Sequence, residues 1–235
     1  MKITRLAAAT AVAALMSASA ASALTLTPTG FSGGSQSVSV TAPTKNNLSA
    51  GGFNVTSDGT PSSLIAFCLD IVSTISFGNS YQYTETATPF TGNSQGSIAS
   101  AMSRIQALYD AVYDNSVATA SSLTSAGFQL ALWNAVYDDD WTVTNDGAAG
   151  NDFYATAGGG IIGQANTYLT AASAYVGGQK WDLTYLEGNP TNSQGAHPQN
   201  LVTAAPAPVP LPAAGLMLLG ALGGLVGLRR RRKAA

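Results

Sequence analysis

The sequence predicts an α+β domain, a β-sandwich or barrel with an inserted helical subdomain, between an N-terminal signal peptide and a C-terminal hydrophobic tail. Three observations predict this arrangement. The first part of the exported chain alternates with the period of two that is typical of strands, the middle changes to a helical period, and strand character returns before the tail. A block of helices with strands on both sides is typical of a sheet or barrel that carries the helices as an insertion.

Residues 1–23 have the parts of a secretory signal peptide. Two basic residues precede an apolar run over residues 6–16, and residues 21–23 form an A-x-A cleavage site. The apolar run is too short to span a bilayer as a helix. We therefore expect cleavage before Leu24 and export of a domain that covers residues 24–205.

Strands are expected on both sides of the helices, in segments rich in Ser, Thr and β-branched residues that are separated by Gly-containing turns. The expected strands are 36–41, 53–56, 64–72 and 81–86 before the helices, and 181–186 and 201–203 after them. The segment 64–72 is the most apolar of these and is expected to be the best buried.

Three helices are expected in the middle of the chain. The first has apolar residues at steps of four, three, three and four, namely Ile98, Met102, Ile105, Leu108 and Val112. Ser97 is its expected N-cap. The second helix covers Ser122–Tyr137, with Leu123, Leu130, Trp133 and Tyr137 on a shared face, and the third, weaker helix covers 161–176.

Residues 206–235 are expected to form a proline-rich linker, which starts near Ala204, and a hydrophobic tail. The tail consists of Val209, Pro210, Leu211, Pro212 and Ala213, an apolar stretch to Leu228, and the basic residues Arg229, Arg230, Arg231, Arg232 and Lys233. A helix over 213–228 would rise about 24 Å. This transmembrane helix would span a bilayer marginally and, with the basic cluster in the cytoplasm, would leave the domain outside the inner membrane.

This tail resembles the VPLPA variant of the PEP-CTERM sorting signals, which combine a proline-rich box, a short apolar helix and a terminal arginine cluster. The resemblance covers about the last 27 residues. It implies recognition by an exosortase-type transpeptidase of a Gram-negative envelope, with removal of the tail. The implied destination of the exported protein is the cell surface or the extracellular matrix.

The composition restricts the partners and the covalent chemistry of the exported domain. The domain keeps three basic residues, Lys45, Arg104 and Lys180, against all twelve acidic residues, which gives a net charge of −9. So acidic a domain will not bind nucleic acid or anionic lipid by charge. Its single cysteine, Cys68, excludes a disulfide within the chain, and it is either an inert buried thiol or a thiol used in chemistry.

Two short segments contain the residues that suggest this chemistry. Cys68 lies on the apolar strand, where it would share a face with Asp70, and Gln129 lies among apolar neighbours on the second helix. Burying a carboxamide is costly unless its polar atoms find partners. One solution is a hydrogen bond; another is attack of the Cys68 sulfur on the Gln129 carbonyl, which releases ammonia and forms a thioester. Asp70 could then take or orient a proton, and Trp133 could cover the bond.

The same two segments resemble the paired signatures of bacterial thioester domains, which are found in surface adhesins. Phe67-Cys68-Leu69 matches the strand motif of that family, and residues 128–133, from Phe128 to Trp133, match its helix motif. The resemblance implies a thioester between Cys68 and Gln129, used once for acyl transfer to an amine or hydroxyl of a surface or matrix partner. It implies neither an enzyme nor a cofactor. The sorting tail departs from the Gram-positive envelopes typical of the family.

Two alternatives stay open at this stage, and a third is discounted. The first is an inert Cys68 and Gln129 in a structural component of the extracellular matrix or biofilm. The second is a cysteine hydrolase that uses His197, which precedes a proline and has no evident orienting partner. The third is Ca²⁺ binding by the acidic segment 138–152, whose spacing does not match an EF-hand, so no metal site is predicted.

Overall fold

A computed structural model of the protein describes residues 23–86, 98–145, 153–190 and 197–208. The predicted signal peptide, up to residue 22, and the predicted sorting tail from Val209 lie outside these residues. In the part of the chain that is described, no helix is long and apolar enough to cross a membrane.

The described residues form nine strands and four helices. The strands are β1 Ala23–Phe31, β2 Gln36–Val40, β3 Lys45–Ala50, β4 Phe53–Ser57, β5 Ser63–Cys68, β6 Tyr81–Thr86, β7 Ala155–Ala157, β8 Trp181–Gly188 and β9 Leu201–Pro206. The helices are α1 Ala101–Val112, α2 Asn115–Thr119, α3 Ser122–Tyr137 and α4 Ile161–Ser173.

Six strands close into an antiparallel barrel in the order β1-β4-β5-β9-β8-β6. A separate sheet has the order β3-β2-β7. The helices all lie between β6 and β8 in sequence, so the predicted α+β arrangement with inserted helices is confirmed, in its barrel form. Barrel closure gives each of the six strands two neighbours and so satisfies its backbone on both sides.

Helix α3 is buried on all of its faces. Thirteen consecutive residues, 125–137, are buried, because their side chains are almost all apolar or small. The predicted bounds of this helix are confirmed, but burial is not limited to the single face expected for Leu123, Leu130, Trp133 and Tyr137. Its first turn is capped by Ser121, whose hydroxyl accepts a hydrogen bond from the Thr124 amide.

An aromatic cluster joins the barrel to the helices. The ring of Phe67 on β5 lies 4.8 Å from that of Phe128 on α3, and the Phe128 ring lies 5.0 Å from that of Tyr109 on α1. Tyr113 contacts all three rings. Buried aromatic pairs contribute about 0.5–1.5 kcal/mol each beyond their hydrophobic area. The cluster therefore holds β5 and α3 in a fixed relation.

The observed bounds differ from the predicted ones in several places. Strand β5 ends at Cys68 rather than at Val72, because the chain turns at Asp70, whose carboxylate accepts the Ser73 amide. Helix α1 begins at Ala101 with Ser100 as its N-cap, and the predicted cap, Ser97, lies outside the described residues. The third predicted helix, α4, ends at Ser173 rather than at residue 176.

The predicted linker was wrong over its first three residues. Residues 204–206 belong to β9 and pair with β8, with Ala204 opposite Leu183 and Pro206 opposite Trp181. Proline is tolerated there because it ends the strand. Strands β1, β3 and β7 and helix α2 were not predicted. β3, β7 and α2 are each short and lack a clear apolar period, and β1 contains Pro28 and Gly30, where its register with β4 shifts.

Candidate functional site

Cys68 and Gln129 meet where β5 ends against the middle of α3. Both are almost completely buried, with 2% and 1% of their surfaces exposed. The Cys68 amide donates to the Gln129 Oε1 atom at 3.0 Å, and the Gln129 Nε2 atom donates to the Cys68 carbonyl at 2.7 Å. One carboxamide therefore satisfies both backbone groups of the cysteine.

The position of the Gln129 side chain follows from the barrel register. β4 pairs with β5 only as far as Phe53 opposite Ala66. Beyond Ala66, β5 therefore has β9 on one side and no strand on the side of β4. Successive residues of a strand direct their backbone groups to opposite neighbours. The Leu69 amide donates to Asn200 on the β9 side, so the backbone groups of Cys68 face the unpaired side, which Gln129 fills.

The Cys68 thiol has a partner that the sequence did not indicate. Its Sγ atom donates to the Oε1 atom of Gln199 at 3.1 Å. The Gln199 Nε2 atom donates to the Asp70 carbonyl at 3.1 Å, and the Gln199 carbonyl accepts the Tyr83 hydroxyl at 2.9 Å. Gln199 lies 131 residues from Cys68 in the chain. No local pattern marks it, so only the pairing of β5 with β9 shows that it reaches the sulfur.

Asp70 is close to the site but is bonded to backbone rather than to the sulfur. It is fully buried, and its carboxylate accepts the Asn200 amide at 2.6 Å and the Ser73 amide at 2.9 Å. Burial raises the pKa of Asp70, and these hydrogen bonds only partly offset that rise. The role predicted for Asp70, to take or orient the thiol proton, stays a prediction.

The thiol is held in its protonated form. Burial raises the pKa of Cys68 well above its usual value of 9.0, and the nearby Asp70 charge raises it further. Burial also raises the pKa values of Tyr83 and Tyr137, and the Asp70 charge acts in the same direction. Burial and the Asp70 charge therefore both favour the protonated thiol over the thiolate.

The other predicted supporting residues surround the Cys68–Gln129 pair. Phe67 and Phe128 directly precede Cys68 and Gln129, and the contact between their rings holds the two segments together. Trp133, one helical turn after Gln129, is 2% exposed, and its indole Nε1 has no hydrogen-bond partner within the described residues. Its predicted role of covering the bond stays a prediction.

Neither the hydrolase nor the calcium alternative gains support from these contacts. The His197 ring bonds to the Gly188 carbonyl at 2.8 Å, while the Cys68 thiol donates to Gln199. In the acidic segment, Asp138 accepts the amides of Asp139, Asp140 and Phe153, so it organises the loop itself. Within the described ranges, no group of three His, Cys, Asp or Glu side chains could hold a metal ion.

Comparisons with known proteins find similarity among solved structures only at the level of the fold. No protein-family model matches the sequence, and no curated protein is significantly similar to it. Among solved structures, the Bacillus anthracis TIE protein is similar with a TM-score of 0.38 and 11% identity, covering 80% of this chain and 40% of that chain. The chain thus spans less than half of that structure, and a likeness of this size does not establish a shared function.

Proposed function

We propose that the protein forms an internal thioester between Cys68 and Gln129 and uses it once to attach itself covalently to an external amine or hydroxyl. The observation that carries this proposal is the buried pair of hydrogen bonds between the Gln129 carboxamide and the Cys68 backbone. These bonds hold the electrophilic carbonyl beside the residue that bears the nucleophile. Proximity of this kind supplies much of the rate of an intramolecular reaction.

In the proposed closure, the Cys68 sulfur attacks the Gln129 Cδ atom. The Sγ–Cδ bond forms, the Cδ–Nε2 bond breaks, and the thiol proton leaves with Nε2 as ammonia. The Cys68 amide already donates to Oε1, the atom on which negative charge develops, and so acts as an oxyanion-hole donor. The bond from Nε2 to the Cys68 carbonyl holds the leaving nitrogen in place.

In the proposed transfer, an external amine or hydroxyl attacks the same Cδ atom. An amide or ester bond to the partner forms, and the Cys68 thiol is released with the proton of the nucleophile. Burial of both residues supports a long-lived thioester, because it keeps water away from the bond. The exported domain also has only two lysines, Lys45 and Lys180, so few internal amines compete for the thioester.

We further propose that the protein is exported and sorted as its two ends predict. Residues 1–23 would direct export, and the VPLPA-type tail would hold the precursor in the inner membrane until an exosortase-type transpeptidase removes it. The support for this step is the order of charged, apolar and proline-rich segments in the sequence.

A second candidate function is a structural component of the extracellular matrix with no reactive bond. A specific observation favours it: the Gln129 carboxamide completes the hydrogen bonding of β5 where β4 has ended. A glutamine that replaces a missing strand neighbour has a sufficient structural reason for its position. In that protein, Cys68 would be a small buried hydrophobic residue.

The intact mass of freshly purified protein distinguishes the two functions. The first and last residues of the purified chain are identified, and the mass of the sequence between them is calculated. The thioester predicts a wild-type mass lower than this value by one ammonia, whereas Cys68→Ala and Gln129→Ala should have their full calculated masses. Methylamine should add to the Gln129 carbonyl and release one thiol. The product should then be heavier than the full calculated mass by one CH2 group. Gln36→Ala is the matched control, because it removes a carboxamide that donates to Ser122 beside the start of α3. A wild type of full mass with a free thiol would support the structural function instead.

A further inference from the structure

We propose that Gln199 is a positioning residue for thioester closure, which orients the Cys68 sulfur by accepting the hydrogen bond of its thiol. This inference rests on the proposed function and adds a residue from the far end of the domain to the reacting pair. The contact that carries it is the 3.1 Å hydrogen bond from the Cys68 Sγ atom to the Gln199 Oε1 atom.

One side-chain contact and two backbone contacts hold Gln199 in place, so its side-chain oxygen is an anchored acceptor. The side-chain Nε2 atom donates to the Asp70 carbonyl, and the backbone carbonyl of Gln199 accepts the Tyr83 hydroxyl. The next residue, Asn200, donates its amide to the Asp70 carboxylate at 2.6 Å. An acceptor anchored in this way fixes the direction of the group that bonds to it, as supporting residues do in other reactive sites.

The chemistry of the contact limits Gln199 to positioning. An amide oxygen is only weakly basic, so Gln199 does not take the proton, which leaves with ammonia in the closure described above. The bond directs the S–H group toward Gln199, so the lone pairs of the sulfur point away from Gln199. One χ1 rotamer of Cys68 is thereby selected, which reduces the conformational freedom lost on reaching the attack geometry.

Packing alone does not require this contact. A thiol is a weak donor and is commonly buried without a partner. Gln199 is only half-buried, so its oxygen could instead accept from water. The bond also exists only while the sulfur carries hydrogen, so it acts before closure and again after transfer, but not in the thioester.

Two substitutions separate this role from a merely structural one. Gln199→Met keeps the length of the side chain and removes both hydrogen bonds. Gln199→Glu keeps an acceptor oxygen for the thiol but loses the donor to the Asp70 carbonyl. Gln179→Met is the matched control, because its Nε2 atom bonds to Trp181 and Asp182 in an exposed region.

The first readout is the rate of thioester closure in the full-length protein, followed by intact mass at intervals after synthesis begins. We expect Gln199→Met to close about tenfold more slowly, as misplacement of a reacting atom predicts, and Gln199→Glu, which keeps the acceptor, to close faster than Gln199→Met. Equal slowing in both variants would overturn the proposal, because it would assign the slower closure to loss of the hydrogen bond from Gln199 Nε2 to the Asp70 carbonyl. Unchanged closure in Gln199→Met would also overturn the proposal.

The second readout is the S–H stretching band in the Raman spectrum, which is unique here because the chain has one cysteine. It is recorded on protein with a free thiol, either opened with methylamine or never closed. The band should move to higher frequency in Gln199→Met and stay in place in Gln179→Met. In Gln199→Glu it should stay in place or move to lower frequency, because the carboxylate still accepts the thiol. A band that Gln199→Met leaves unchanged overturns the inference. If the wild type forms the thioester, the proposed function stands in spite of that result.

Discussion

Two polar clusters are buried in this domain, and they differ in how their charges are compensated. The first surrounds Arg104 on α1, which is 5% exposed and stacks over the Trp141 ring at 3.7 Å. Its guanidinium donates to the Asp139 carbonyl at 3.0 Å and to the Asn134 Oδ1 atom at 2.9 Å. Burial lowers the pKa of Arg104, while the adjacent acidic residues of the loop act in the opposite direction.

The second cluster, around Cys68, contains an acidic carboxyl and a thiol without a cation. Burial comes first among the causes that raise the pKa values of Cys68 and Asp70, and in the described part of the chain no basic side chain offsets it. The partners of these groups are backbone groups and the neutral carboxamides of Gln129 and Gln199.

The difference between the clusters indicates a difference in role. Removal of a buried cation leaves the acidic and carbonyl oxygens around it without a partner, so holding the loop is a sufficient reason for the position of Arg104. A carboxyl that raises the pKa of a neighbouring thiol stabilises neither group, and uncompensated groups of this kind are concentrated at functional sites. The following substitutions test this comparison.

Substitution of the cation should cause the largest loss of stability. Arg104→Met leaves the carbonyl and carboxamide oxygens that now bond to the guanidinium without a donor, so we expect the free energy of unfolding to fall by about 3 kcal/mol. Urea denaturation measures this loss, and Arg104→Lys, which keeps the charge, should lose less. Methylamine uptake by the folded variant should equal that of the wild type. A folded variant with impaired uptake would show that the two clusters are not separate in function.

Substitution of the buried carboxyl should have a smaller effect that depends on pH. Asp70→Asn removes the charge and replaces one acceptor oxygen by an NH2 group. This NH2 group faces the backbone amide of Ser73 or Asn200, and two donors cannot bond to each other. We expect the free energy of unfolding to fall by about 2 kcal/mol at acidic pH. Because folding raises the pKa of Asp70, its stabilising contribution is complete below the unfolded value, near 3.8, and is lost as pH rises through the folded value.

The wild type should therefore lose its advantage over Asp70→Asn as pH rises from below 3.8 toward neutrality. Urea unfolding over this range measures the difference, and exposed Asp182→Asn is the control. The same variant should lower the pKa of the Cys68 thiol, since the Asp70 charge raises it. A constant difference in stability across the range would contradict the assigned cause of the pKa shift.

The smallest effect is expected one helical turn before Gln129. The hydroxyl of buried Ser125 accepts the amide of Gly52, the residue directly before β4, at 2.9 Å, so α3 satisfies the backbone beside the start of β4 and, through Gln129, the end of β5. Ser125→Ala leaves that amide without its partner, and we expect a loss of about 1 kcal/mol in urea unfolding. Thioester closure should slow only slightly, because the Gln129 contacts remain; a tenfold slowing would mean that both contacts act as one unit.

Much of the fold followed from local patterns. The bounds of α3 and β6 match the predicted ranges 122–137 and 81–86. For α3, the capping Ser121 before the helix and the acidic residues after Tyr137 mark its two ends in the sequence. The continuation of β9 to Pro206 did not follow, because Ala-rich and proline-containing residues have weak strand propensity and are ordered there by pairing with β8.

The Cys68 and Gln129 segments could be selected from the sequence because an isolated cysteine and a carboxamide among apolar residues are unusual in themselves. Gln199 could not be selected. Its half-buried carboxamide lies beside the unremarkable residues His197 and Pro198, and nothing local distinguishes it from the other glutamines.

The sequence by itself determined the net charge of −9 over residues 24–205, the single thiol, the alternation of strands and helices, and the two ends that predict export and sorting. These properties depend on composition and on neighbouring residues. The tertiary structure decided that the barrel closes, that Gln129 completes the edge of β5, and that Gln199 reaches the sulfur. Those contacts join residues 61 and 131 positions apart. They depend on strand register and on which buried backbone groups lack a partner, and neither is encoded by any one segment alone.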